Sequence, residues 1–463
     1  MAGLTIYEFD VLTEDSGLPE PAGSRSVPAD TFAWLQSQAL RASENGGSKW
    51  LRLTQRRGRL AVQVNSFVGV LRAPDGFQIE VLPKVAKAID GGDREARQLL
   101  IEMLRCLGGF RHIQTDSAML QARHMPLLEV FISEFLRAVE QVVKRGLRSD
   151  YTVRQDNVFA LRGKLQMAAH LRQNICRRDR FFSEFDEFST DRPENRLLHS
   201  ALKRVLLWTN SQANEQLSRE LGFMFADVPP SDQSLQDFER VRLDRGMAHY
   251  DHALAWARLI LEDGSPLTGS GKHFAPSLLF PMEAVFEAFV AKHLARQLNP
   301  IHRLRPQARS FSLVKHQGQD WFRLKPDLLI QKGAENQLVL DTKWKLIDNR
   351  TGSGTEKYGL DQGDFYQLLA YGQSYLDGRG DVVLIYPRSD VFDKALPVFE
   401  FPKTEAVRLW VLPFCLRERK LILPTCGSLD SFFLQRASPR DDKISAVQSQ
   451  IDLAEGMSGA LVF

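Results

Sequence analysis

The chain has 463 residues, 43% hydrophobic and 25% charged, which excludes a disordered tract and allows two to four domains with separate cores. Lys and Arg number 60 against 57 Asp and Glu, so the net charge of +3 makes no case for nucleic acid, and any such case rests on local clusters. Cys106, Cys176, Cys415 and Cys426 share no C-x-x-C spacing, Arg25 is the only base in the first thirty residues, and no apolar run reaches membrane-spanning length; this excludes zinc ribbons, disulfide scaffolds, secretion signals and membrane spans, and predicts a cytoplasmic protein.

Residues 1–125 read as a β-rich domain. The stretch LRLTQRRGRLAVQVNSFVGVLRAPDGFQIEVLPKV alternates β-branched and polar residues around Pro74-Asp75-Gly76, the signature of a hairpin or small barrel. A helix follows in DREARQLLIEMLRCLGG, closing at Gly108-Gly109. Another follows in PLLEVFISEFLRAVEQVVKRG, with Pro126 in its first turn and Gly146 as its stop. Helices are expected to dominate to about residue 260, making 126–270 a helical middle domain. Between 141 and 180 ten Lys or Arg face three acids, a patch that tracks phosphates or simply covers a solvated helical face.

In DRPENRLLHSALKRVL, Asp191 stands near a helix start and Pro193 and Glu194 lie in its first turn. Leu197, Leu198, Ala201 and Val205 share one face. Glu194, Asn195 and Arg196 are expected to tie helices together rather than to catalyse. The Gly- and Ser-rich EDGSPLTGSGKH opens a last domain, 271–463. Its TGSGKH imitates a phosphate-binding loop, but Pro266 and His273 stand where that loop needs a glycine and a Ser or Thr, so the chain itself binds no nucleotide.

The chemistry concentrates in LKPDLLIQKGAENQLVLDTKWKLI. Two strands flank the polar GAEN turn; centred near Ala334 and Glu335, that turn sets Asp327 opposite Thr342, within one register step, beside Asp341 and Lys343. Strand alternation points Asp341 and Lys343 the same way, with Lys345 one step further out. Two hard carboxylates suit Mg²⁺, or Mn²⁺ in its place. The Thr342 carbonyl is a further ligand, and Lys343 orients a water or stabilises developing charge. A hairpin edge also carries mixed charge merely to keep strands from aggregating. Upstream, FPMEAVFEAFVAKHLARQL is a helix opened by Pro281. Val285, Phe286, Phe289 and Val290 form its apolar face, and Glu287 is a third metal carboxylate or a solvated glutamate. Downstream, DQGDFYQLLAYGQSYL is a helix capped by Asp364 that stacks Gln367 and Tyr371 on one face, to hold the lysine or a DNA backbone, or with Tyr371 in the core.

The ordered set Glu287, Pro326-Asp327, Asp341-Thr342-Lys343 and Gln367-x-x-x-Tyr371 resembles the PD-(D/E)XK nuclease superfamily, in its RecB-like subset with a Gln-x-x-x-Tyr helix. FVGVLRAPDGFQIEVLPKV, LLIEMLRCLGG, LRGKLQMAAHLRQN, FDEFSTDRPENRLLHSALKRVL and FPMEAVFEAFV resemble McrC, the nuclease subunit of the modified-cytosine restriction system McrBC, over about residues 50–390. That resemblance implies a multidomain α+β chain whose C-terminal domain is a PD-(D/E)XK nuclease fold with a mixed central sheet. It implies an Mg²⁺-dependent endodeoxyribonuclease whose partner, an McrB-like AAA+ GTPase hexamer, reads modified cytosine in DNA. It also implies that the N-terminal part stimulates that GTPase; Arg56, Arg57, Arg59 and Lys84 supply charge for the docking, or are plain surface. A stand-alone RecB-like repair nuclease and a non-catalytic adaptor of a ring ATPase are the rival readings.

Overall fold

Period-two sequence builds the N-terminal strands. The computed structural model describes residues 3–15, 23–44, 50–85, 92–107, 126–261, 277–352, 355–402, 406–425 and 428–434. The Gly108-Gly109 stop, the EDGSPLTGSGKH segment, Cys426 and the chain after 434 lie outside them. Strands β1 (Gly3–Tyr7), β2 (Val11–Glu14) and β3 (Ser24–Val27) precede helix α1 (Ala29–Glu44), and β4 (Leu51–Arg56), β5 (Arg59–Val64), β6 (Phe67–Arg72) and β7 (Gln78–Leu82) follow. They form two four-stranded sheets, β3-β2-β5-β4 and β1-β7-β6-β11, the last strand being supplied from residues 277–281. Phe32 and Leu35 of α1 close one core over Ile6, Val62, Leu71 and Val81. The Pro74-Asp75-Gly76 turn closes the β6–β7 hairpin, with the Asp75 carboxylate accepting from Phe77 N at 2.9 Å.

The helical part contains α2 (Gly92–Leu104), α3 (Leu127–Arg145), α4 (Met167–Asn174), α5 (Pro193–Trp208), α6 (Gln212–Met224), α7 (Ser234–Arg240) and α8 (Tyr250–Leu261). Pro126 stands just ahead of α3 rather than inside its first turn, and Gly146 ends it with φ +88°. The polar anchors of α5 are all engaged. Glu194 pairs with Arg192 at 3.1 Å and accepts the Arg242 N–H at 3.0 Å. Asn195 donates to the carbonyls of Arg148 and Thr190 and accepts from the Tyr250 hydroxyl at 2.9 Å; Arg196 pairs with Asp191. These groups tie helices together as expected.

Helices do not fill the whole of this region. β8 (Asp150–Val158), β9 (Lys164–Leu165) and β10 (Phe181–Ser189) form an antiparallel sheet in the order β8-β10-β9. The basic run is spread over helix, strand and loop and not over one helical face: Lys144 and Arg145 end α3, Arg172 lies on α4, Arg154 on β8 pairs with Glu187 at 2.8 Å, and Arg162 in the next loop lies over the Phe185 ring. DYTVRQDNV and FFSEFDEFS do alternate, but both faces carry exposed residues, so no buried stripe announces a strand.

β11 (Ser277–Pro281) runs antiparallel to β6, and a side chain at Gly69 (φ +133°) would put its Cβ 1.9 Å from the Leu278 carbonyl. Helix α9 (Met282–Leu294) follows. The chain divides into two compact units, Met1–Ala288 and Phe289–Phe463.

The second unit is a mixed sheet. β12 (Arg303–Pro306), β15 (Leu328–Lys332), β16 (Glu335–Thr342), β17 (Arg379–Pro387), β18 (Phe399–Glu400), β19 (Ala406–Cys415) and β20 (Lys420–Leu421) are ordered β12-β15-β16-β17-β19-β18, with β20 also on β19. β16, β17 and β19 are mutually parallel and read as nearly continuous buried runs. Helix α10 (Gln362–Tyr375) covers one face, its Leu368, Tyr371 and Tyr375 packing with Val382, Leu384, Val407 and Leu409. Gly372 lets the helix come close, since a Cβ there would meet Val407 Cγ1 at 2.9 Å. A separate hairpin, β13 (Phe311–His316) and β14 (Gln319–Leu324), rests its base on α10 through Phe311 and Tyr375. Among the described residues no helix is long and apolar enough to cross a membrane.

Candidate metal and catalytic site

The site is built where β15 begins and β16 ends. The two strands pair antiparallel through Leu328↔Leu340, with a bulge between Ile330 and Gln331 and a turn at Gly333-Ala334. The strand register, continued one residue, sets Asp327 opposite Asp341, one step from the expected Thr342: the turn sits one residue earlier, which moves the pairing by two, and the bulge returns one. Thr342 still meets Asp327: its backbone N–H and its hydroxyl both donate to Asp327 Oδ2, at 2.8 and 2.7 Å. β16 ends at Thr342, but Lys343 N donates to the Ile385 carbonyl at 2.9 Å and carries the parallel ladder one residue further. Extended backbone there keeps the Lys343 side chain on the side of Asp341. Lys345 lies beyond the strand and is exposed, so it does not continue that face.

Lys343 Nζ lies 2.9 Å from Asp341 Oδ2, 3.1 Å from Asp364 Oδ1 and 3.1 Å from Gln367 Oε1. An ammonium has three hydrogens, and three acceptors surround it. Gln367 then donates from Nε2 to the Tyr371 hydroxyl at 2.7 Å, and Tyr371 donates to the Lys325 carbonyl at 3.0 Å. The relay thus runs from the lysine, along one face of α10, to the residue two before Asp327. Tyr371 is also core, 3% exposed, so both expected roles meet in one residue.

Asp364 is the residue that sequence reasoning misplaced. Asp361 caps α10, its carboxylate accepting from Gly363 N at 2.7 Å, while Asp364 sits one turn in and faces Lys343. Its other oxygen accepts from the Tyr386 hydroxyl at 3.3 Å. The signal was present, since 364, 367 and 371 fall on one helical face.

The electrostatics are strained. Asp341 is 2% exposed and its carboxyl is pushed up to about 7, by burial first and then by the Asp327 charge, which together outweigh Lys343. Burial works against the Lys343 charge, yet Asp341 and Asp364 more than offset it and hold its pKa above the usual lysine value. Burial lifts Tyr371 to about 12, and Tyr386 is raised by burial and by Asp364.

Asp341 Oδ2 receives no hydrogen bond of good geometry despite its burial and its close ion pair. A buried carboxylate oxygen in that state, facing a second carboxylate, is a fit for a hard divalent cation. Among the described residues no three His, Cys, Asp or Glu side chains gather into a cage. Two aspartates with the Thr342 carbonyl suit an ion that keeps several waters, as Mg²⁺ does. Glu287, the expected third carboxylate, lies half-buried on α9 in the first unit.

A family model described as McrBC 5-methylcytosine restriction system component matches residues 62–387. The type IV methyl-directed restriction enzyme EcoKMcrBC of Escherichia coli strain K12 is 23% identical over 278 residues, 57% of this chain and 78% of that protein. A half-complex from a tetradecameric assembly of Thermococcus gammatolerans McrB AAA+ hexamers with bound McrC contains a chain of like fold: TM-score 0.62 and 18% identity, over 91% of this chain and 97% of that one.

Proposed function

For a chain that belongs to the McrBC 5-methylcytosine restriction system component family, we propose the role of its DNA-cutting subunit, with a PD-(D/E)XK-type nuclease centre at Asp327, Asp341 and Lys343. The observation that carries the reading is the buried Asp341 carboxyl, raised by the charge of the half-buried Asp327 beside it and paired with Lys343 at one end of the Gln367–Tyr371 relay. Asp327, Asp341 and the Thr342 carbonyl would hold Mg²⁺, or Mn²⁺ in its place, and Glu287 is retained as a further carboxylate on the resemblance alone. When bound, such an ion neutralises charge on the phosphodiester and acidifies a water.

The chain's own residues supply the rest. Thr342 fixes one Asp327 oxygen with two hydrogen bonds, leaving the other oxygen as the ligand. Lys343 donates to Gln367 and is held in close ion pairs by Asp341 and Asp364. Once the Asp341 carboxylate is taken, one Lys343 N–H is freed for the attacking water or the scissile phosphate. Asp364 and Gln367 keep the ammonium aimed, and Tyr371 pins Gln367. Preorganised donors of this kind typically contribute on the order of 10²–10³ in rate.

By analogy with the assembly of like fold, the partner is an AAA+ hexamer; that this partner is a GTPase and reads the modified cytosine follows from the resemblance to McrC alone. The test is cleavage of cytosine-methylated duplex by the purified chain with Mg²⁺, GTP and the partner. Asp341→Ala should abolish cutting and leave GTPase stimulation unchanged. Undiminished cutting by that variant would refute the site assignment, whereas cutting by the wild-type chain with no partner at all would favour a stand-alone nuclease.

A further inference from the structure

The β13–β14 hairpin is an element that the fold does not need for its core. A two-stranded hairpin alone is marginal in water. This one is held at its base, by Phe311 against Tyr375 and by Tyr375 donating to the Ala308 and Leu324 carbonyls at 3.2 and 2.9 Å. Beyond that base its side chains are given to solvent. Only Leu324 is buried in the two strands, while Trp321 is 46% and Phe322 69% exposed. The tip is a tight two-residue turn, Gln317-Gly318, both with positive φ, as a hairpin bend of this length requires. Phe322 also has φ +56°, a left-handed conformation that a bulky residue rarely adopts.

Charge adds a second, independent observation. Arg303, Arg305, Arg309, Lys315, Arg323 and Lys325 lie within residues 301–325, with Asp320 as the single acid. All six bases are exposed, and none has an ion-pair partner among the described residues. The strand continues directly from Leu324 through Lys325 and Pro326 to Asp327, and the Lys325 carbonyl is the end of the Tyr371 relay. Lys315 and Arg323 stand on the hairpin strands, and the other four bases lie just before and after it in the chain, on β12 and the flanking segments; an aromatic hairpin flanked by bases is therefore joined to the candidate metal ligand by two residues.

We infer that this hairpin is a duplex-DNA clamp of the nuclease centre, its bases gripping backbone phosphates beside the cut and Trp321 and Phe322 resting in a groove. The inference rests on the nuclease reading above. Exposed aromatic side chains among bases match nucleic acid in both respects: phosphates answer the charge, and sugar and base faces cover the rings. A protein partner would have to bring an acidic surface to the same place, and is an outcome of the test.

Binding of the full chain to a fluorescent 25-base-pair duplex, in Ca²⁺ to suppress cutting, decides the matter when repeated over a salt series. Lys315→Gln combined with Arg323→Gln should weaken binding at least tenfold and lower the slope of log affinity against log salt by about 2. Trp321→Ala combined with Phe322→Gly should weaken it about tenfold with the slope unchanged, glycine accepting the left-handed backbone at position 322. Circular dichroism should match the wild-type chain in both. Equal affinity and slope in all three proteins, absence of binding by any of them included, would overturn the inference, as would variants that bind DNA normally but no longer bind the AAA+ partner. The two readings part in the wild-type chain: duplex binding that both hairpin variants weaken, with no cutting in Mg²⁺ with the partner and GTP, would leave the clamp standing and overturn the nuclease reading.

Discussion

Two buried polar clusters in this chain look alike in sequence and differ in what surrounds them. Glu194 and Asn195 are each 1% exposed and fully answered, by Arg192, the Arg242 amide, two carbonyls and the Tyr250 hydroxyl. Asp341 is as deeply buried at 2%, yet faces a second carboxylate, lacks a well-formed hydrogen bond on Oδ2, and has its pKa lifted to about 7. A satisfied network fixes helices. A network with surplus negative charge is stable only at a cost, and that cost marks a place where something cationic belongs.

The contrast can be broken by substitution. Lys343→Ala should slow DNA cleavage by about 10²–10³ with the metal still bound, measured as single-turnover rate alongside Mn²⁺ affinity; near-normal turnover with lost metal affinity would reverse the roles assigned. In the other cluster, Glu194→Ala should cost about 1–3 kcal/mol of stability by leaving the Arg242 amide without its acceptor and Arg192 with Asp150 alone, read by urea denaturation, while Asp341→Asn should cost none. If Glu194→Ala were neutral and Asp341→Asn destabilising, the two clusters would have been interpreted the wrong way round.

Protonation sharpens the comparison. A carboxyl raised to about 7 holds its proton more tightly in the folded chain than in the unfolded one, where it titrates near about 4. Its contribution therefore favours the metal-free fold below about pH 4 and is lost as the pH climbs to about 7. Divalent cations compete with that proton, so Mg²⁺ affinity should fall about tenfold per pH unit below about pH 7, measured by calorimetric titration. A pH-independent affinity between 5.5 and 7 would remove Asp341 from the ligand set. The smallest effect belongs to Gln367→Ala, which should lower the cleavage rate several-fold, with KM steady, because Asp341 and Asp364 still hold the lysine; an unchanged rate would leave the relay without a positioning role.

Much of the candidate site was legible because it is local. Asp327, Asp341 and Lys343 follow from one hairpin, and Gln367 and Tyr371 from one helical face, so period-two and period-3.6 rules reach them. The pairing falls within the one register step that the sequence leaves open, because the early Gly333-Ala334 turn and the Ile330–Gln331 bulge shift it in opposite senses without changing composition. Asp364 reads as a cap because it stands directly before the apolar Phe365, whereas the cap is Asp361, three residues upstream, ahead of Gln362 and Gly363. The β8–β10 ribbon was hidden by the lack of a buried face. The return of β11 to pair with β6 spans some two hundred residues, a distance that local patterns do not encode.

Thermal unfolding of the full chain against Mg²⁺ concentration, for the wild type and for Asp341→Asn, probes the central claim most directly. A cation that binds only the folded chain raises its melting temperature by mass action. The account predicts a wild-type chain that gains several degrees as Mg²⁺ rises to millimolar levels, and a variant that starts at or above the metal-free wild-type value and does not respond. Equal responses in both proteins, or none in the wild type, would contradict it.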